Sequence, residues 1–169
     1  MNKELFQIDV IRDGAGLAAH RPALEVLVKS AADTNVFYEP WLLMPAIEAM
    51  LPPGLLLVLI WHAGGSLAAF FPLVFDRVAG GLPRLQLWKH RYCFLNTPLI
   101  AREHGPGAVG AFMDWVDSGR SPARYFDLQG VAADSLFARL LTLELQRRRR
   151  LWSHMSISHE RAMYWPAQR

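Results

Sequence analysis

The chain has 169 residues, of which 52% are apolar and 20% charged, with a formal net charge of +3. That length suits one domain with a sizeable core, and that balance excludes a disordered chain. The lone cysteine, Cys93, excludes an intrachain disulfide and the zinc patterns built on paired cysteines, and it suits a reducing, cytoplasmic setting.

The basicity is local. Residues 139–169 carry seven Arg against only Glu144 and Glu160, and the rest of the chain is slightly acidic. A nucleic-acid binder more often spreads Lys and Arg along a face, so the distribution argues against that partner. Met1–Val10 holds Lys3, Glu4 and Asp9 without a long apolar core and does not read as a signal peptide.

Leu5–Ile11 reads as a strand ended by Asp13-Gly14. Gly16–Ser30 sets Leu17, Leu24, Leu27 and Val28 on one helical face, with Pro22 in its first turn. After Asp33-Thr34-Asn35, Trp41–Leu51 forms a second helix with Leu42, Ala46, Ala49 and Met50 as its apolar stripe. Pro52-Pro53-Gly54 stops it. Gly54–Phe75 is about as apolar and long as a membrane span, but Gly64-Gly65 in its middle predicts a buried hairpin of Leu55–Trp61 and Leu67–Phe75.

Arg84–Lys89 alternates as a half-buried strand, and Pro98-Leu99-Ile100 forms another short one. A helix from about Ala108 to Val116 follows His104-Gly105-Pro106-Gly107 and ends at Ser118-Gly119. Tyr125–Leu128 is a strand. Ala133–Arg148 is a helix with Leu136, Leu140, Leu143 and Leu145 among its apolar positions, and Leu151–Ile157 is a final strand. The order β-α-α-β-β-β-α-β-α-β describes one mixed α/β domain over residues 1–169, with a mostly antiparallel sheet flanked by about four helices.

This order resembles that of the GNAT acyltransferases. Four local segments are similar to the cellulose-biosynthesis acetyltransferase (CelD/BcsL) group: Asn35-Val36-Phe37-Tyr38-Glu39-Pro40-Trp41, Phe71-Pro72-Leu73, Thr97-Pro98-Leu99-Ile100 and Ser158-His159-Glu160-Arg161-Ala162. The resemblance implies transfer of an acyl group from acetyl-CoA or another acyl-CoA to an amine or hydroxyl, with no metal. It further implies that this chain is the amino-terminal half of a tandem architecture, whose second GNAT-like half binds the acyl-CoA. The partners expected are therefore acyl-CoA and that second half, or a homo-oligomer. The alternative is a non-catalytic module that completes the acceptor site of a second domain.

Arg102-Glu103-His104-Gly105-Pro106-Gly107-Ala108 fits the spacing of the family's Q/R-x-x-G-x-G/A loop. That makes Arg102, Gly105, Gly107 and Ala108 the candidate cofactor-binding positions. Glycines there let backbone N–H groups approach a pyrophosphate, and a helix N-terminus adds favourable field. Pro106 removes one donor and Glu103 adds negative charge, and a plain Gly/Pro connection explains the segment equally. The strand before Arg102 would supply backbone N–H donors to an oxyanion.

Tyr92 is a candidate general acid for a departing thiolate, or a strand aromatic; Glu160 is a candidate base, or a surface charge beside Arg161. Nothing positions a base for Cys93, so it reads as a buried structural thiol. Lys89-His90-Arg91 suits either CoA phosphates or solvent. His154 and His159 would point to opposite faces of a strand, which argues against a shared metal. Arg147–Arg150 follows a helix, where cations favour the C-terminal dipole; the other reading is an anion site.

Overall fold

The computed structural model describes residues 5–155. Its elements in chain order are β1 (Phe6–Ile11), α1 (Gly14–Ala18), α2 (Arg21–Ser30), a 3-10 turn (Val36–Tyr38), α3 (Pro40–Met50), β2 (Leu55–His62), β3 (Leu67–Arg77), β4 (Pro83–Leu87), β5 (Leu99–Ile100), α4 (Gly105–Asp117), β6 (Tyr125–Asp127) and α5 (Leu136–Arg147). The sheet runs β1-β2-β3-β4-β6, with β5 also paired to β3. All pairings are antiparallel except β4 with β6. This is the mixed, mostly antiparallel α/β sheet expected from the sequence.

The hairpin β2–β3 is the centre of the molecule. Leu56, Val58, Ile60, Phe71 and Leu73 face α4 and α5, while Leu55, Leu57, Leu59 and Phe70 face α1–α3. A strand buried on both faces has no polar alternate positions, which is why this stretch reads as a continuous apolar run. The result is three layers, with α1–α3 on one face of the sheet and α4–α5 on the other.

Several boundaries differ from expectation for local reasons. Gly16–Ser30 is two helices, not one. Pro22 has no N–H for the carbonyl of Ala18, so α1 ends there and Pro22 sits in the first turn of α2. In α3 the buried residues are Pro40, Leu43, Ala46 and Ile47, whereas Ala49 and Met50 are exposed. In α5 Phe137 and Leu145 are buried and Leu143 is 60% exposed. Ser135 caps α5 by accepting from the Ala138 N–H at 3.2 Å, so the helix starts at Leu136 rather than Ala133. Residues 151–155 form no strand, and the rest of the expected final strand lies outside the described residues.

Candidate functional site

The sheet divides beyond β4. Leu87 pairs with Leu73 of β3, the Trp88 N–H donates to the Pro72 carbonyl, and pairing resumes only at Leu99 opposite Phe70. Residues 88–98 thus intervene where β3 has only Phe71 and Pro72. The break has a chemical cause. A residue's N–H and C=O point to the same side of a strand, and Pro72 turns that side toward β4 and β5 with no N–H to donate. Past the break β5 still pairs with β3, but β6 pairs only with β4, which leaves a gap in the sheet beside β5.

The chain itself closes that gap. Along the outer edge of β5, Ala31 bridges Ala101, Ala32 N–H donates to Ile100 O at 2.9 Å, and Arg102 N–H donates to Ser30 O at 3.0 Å. On the β6 side, the Asn96 N–H donates to Gly130 O at 2.8 Å and its Nδ2 to Gln129 O at 3.0 Å. Ala132 N–H donates to Thr97 Oγ1 at 2.9 Å. Asn35 ties the two closures together, since its Nδ2 donates to the carbonyls of Leu95 and Thr97. Asn35, Asn96 and Thr97 are each at most 2% exposed. Asp33 Oδ2 accepts the Leu136 N–H at 2.8 Å, so a carboxylate of the chain occupies the N-terminus of α5.

The glycine segment lies next to this closure, but it is mostly helix. α4 begins at Gly105, three residues before the expected start. A Cβ on Gly105 would lie 3.1 Å from Leu140 and 3.3 Å from Leu136, so this glycine lets α4 approach α5. A Cβ on Gly107 would lie 2.6 Å from the Phe6 ring. The Ala108 N–H is used by the His104 carbonyl, whereas those of Gly105 and Gly107 have no partner among the described residues, and only Gly107 is exposed. Arg102 is exposed and its Nη2 reaches Ala31 O at 3.4 Å. His104 precedes the helix and stacks on His62 at 4.2 Å. The N–H groups of Ala101 and Arg102 are engaged with Ala68 O and Ser30 O and are not free to meet an oxyanion.

The other candidates do not converge with it. Tyr92 lies at the tip of residues 88–98, not on a strand, and is 61% exposed. Cys93 is buried and donates to Leu95 O and Asn96 Oδ1; burial pushes its thiol above the usual range, against a thiolate role. Burial likewise raises the Tyr38 hydroxyl, which donates to Trp88 O, and lowers the His90 imidazole. His154 is exposed, while His159 and Glu160 lie outside the described residues. No group of three or more His, Cys, Asp or Glu able to hold a metal occurs among the described residues.

The arginine run binds α5 to α4. Arg148, whose side chain is 14% exposed, pairs with Glu144, Asp114 and Asp117 and donates to Gly110 O. Burial alone would lower its pKa, but the three carboxylates together raise it. Arg150 pairs with Asp117, and Arg147 with Glu144. Asn35, Asn96, Thr97 and Asp33 are the site residues that sequence reasoning missed. Asn35 and Thr97 stand within two of the segments similar to the CelD/BcsL group, but no local signal marks either as a lock.

No family model matches the chain, and no curated protein matches it. Solved structures do. A possible acetyltransferase from Clostridium difficile 630 superposes with a TM-score of 0.51 at 8% identity, over 95% of this chain and 100% of that one. Glucosamine-6-phosphate N-acetyltransferase from Arabidopsis thaliana gives 0.47 at 12% identity, over 95% and 100%. No helix among the described residues is long and apolar enough to cross a membrane. At these identities the likeness is one of fold, and the fold is that of the GNAT acetyltransferases.

Proposed function

We propose that this domain serves the transfer of an acyl group from acyl-CoA to an amine or hydroxyl acceptor, as a GNAT-like unit that does not itself hold the thioester. It acts as the amino-terminal, non-catalytic half of a CelD/BcsL-like pair, shaping the acceptor site for a second GNAT-like unit. The observation that carries this reading is the closed gap beside β5. A pantetheine arm needs an open strand edge next to free N–H donors, and here Ser30–Ala32 covers the edge and the Ser30 carbonyl takes the Arg102 N–H. Opening it would break several buried hydrogen bonds at once, each contributing about 1 kcal/mol.

The test is a calorimetric titration of the chain with acetyl-CoA. No saturable heat is expected up to about 1 mM, which corresponds to a binding free energy weaker than about −4 kcal/mol. Micromolar binding would overturn the reading. A second reading, an acyltransferase competent by itself, is favoured by one feature: the exposed N–H of Gly107 at the start of α4, which has no partner among the described residues. It requires that micromolar binding, and its loss in Gly107→Glu.

A further inference from the structure

We infer that the tip of residues 88–98, together with the segment leading into α3, is a docking face for an anionic lipid surface. Phe94 is 78% exposed, Tyr92 61%, Trp41 60% and Val36 42%. The Phe94 ring meets Phe37 edge-on at 6.0 Å, which joins the two segments into one apolar face. Scattered exposed apolar side chains need no explanation, but several rings in one place do. These rings cannot fold inward, because the tip is pinned from below by the buried Trp88, Cys93, Asn96 and Thr97.

Charge identifies the occupant. Lys89 and Arg91 stand in the same segment just before Tyr92 and Phe94, both exposed, and neither forms an ion pair among the described residues. The neighbouring acid, Glu39, accepts the Trp41 indole N–H at 2.9 Å. A second copy of the chain fits poorly, since it would bring the same two cations from both sides and only Glu39 among residues 36–41 and 88–98 is acidic. A single-stranded nucleic acid uses similar chemistry but wants a run of cations that follows its backbone, and residues 36–41 and 88–98 hold only Lys89 and Arg91. Aromatic rings at headgroup depth with cations beside lipid phosphates satisfy both features.

The test is co-sedimentation of the full chain with vesicles of phosphatidylcholine alone and of equal parts phosphatidylcholine and phosphatidylserine. Binding is expected only to the mixed vesicles, and it should weaken as salt rises. Tyr92→Ser with Phe94→Ser should weaken it at least about tenfold. Lys89→Glu with Arg91→Glu should abolish it, and Leu143→Ser, an equally exposed residue on α5, should leave it unchanged. All these side chains are on the surface, so the variants keep the fold, which circular dichroism verifies. Equal binding to both vesicles, binding insensitive to the Tyr92 and Phe94 changes, or binding of oligothymidylate in place of vesicles would each overturn the inference.

Discussion

The β2–β3 hairpin and residues 88–98 lie side by side and are held by different forces. The hairpin is apolar on both faces, and Leu57, Val58, Leu59, Phe70 and Phe71 are all fully buried. Residues 88–98 are held by the amides of Asn35 and Asn96 and the hydroxyl of Thr97. Apolar burial is non-directional and tolerates many sequences, so it specifies a fold. Buried amides must each meet a particular carbonyl, so they specify one local arrangement. The amide lock fixes how residues 88–98 lie against β5 and the segment before α5.

If that contrast is right, the largest loss of stability comes from the hairpin. Phe71 stacks on Phe112 at 4.2 Å and meets Phe137 edge-on at 5.7 Å. Phe71→Ala should cost about 3–5 kcal/mol, read as a lower urea midpoint at constant slope. A loss below that of the polar variants that follow would break the comparison.

The α4–α5 arginine pairing comes next. Arg148→Met leaves Asp114, Asp117 and Glu144 crowded together and should cost about 2–3 kcal/mol at neutral pH, less than for a fully buried pair because the acids are partly exposed. The pH dependence has a definite sign. The hydrogen bond from Arg147 holds the Glu144 carboxyl below its usual range, burial opposes this, and the bond from Arg148 adds to it. The folded state therefore binds fewer protons than the unfolded chain in acid. The stabilisation is complete above the ordinary carboxylate range, around pH 4–5, and is lost as pH falls through the lower folded value. Urea titrations across that range should show Arg148→Met losing stability less steeply with acid than the parent.

The amide lock is tested by a double-mutant cycle. Asn96→Ala strands the Gln129 carbonyl and should cost about 2 kcal/mol. Gly130 has φ of +75°, and a Cβ there would lie 2.5 Å from Asn96 Nδ2. Gly130→Ala should therefore cost about 1 kcal/mol for the backbone conformation and more for the clash. In the Asn96→Ala background the clash disappears, so the double variant should be less unstable than the singles predict. Strict additivity would mean that the two residues do not form one lock.

The same contrast explains what was legible in the sequence. The hairpin showed because its signal is local: an apolar run, two glycines, an apolar run. Strands, helix order and hence the mixed α/β sheet followed from similar local patterns. The face of α3 was misjudged because Trp41–Ile47 is apolar nearly all round, which leaves no clear stripe. The lock was invisible because Asn35 and Thr97 are 62 residues apart, and Asn96 and Gln129 are 33. The glycine segment runs from a turn at Arg102 into α4, which begins at Gly105, because Pro106 is well suited to a first helical turn.

Two glycines of α4 give the smallest and most discriminating effect. A Cβ on Gly110 meets only Glu144, at 4.0 Å, and the carbonyl used by Arg148 is untouched. Gly110→Ala should therefore stabilise the protein by about 0.5–1 kcal/mol, because alanine loses less backbone entropy in a helix. Gly107→Ala has the same helical benefit, but its Cβ would press on the Phe6 ring at 2.6 Å. That ring also meets His62 at 5.5 Å, so it must leave an existing contact to make room. The difference between the two substitutions, measured by urea unfolding, isolates the packing role of Gly107. A Gly107→Ala gain equal to that of Gly110→Ala would show that the ring yields freely and that packing does not require glycine there. A shortfall of about 1 kcal/mol would show that glycine at this position serves the approach of β1 to α4, with no need for a phosphate to explain it.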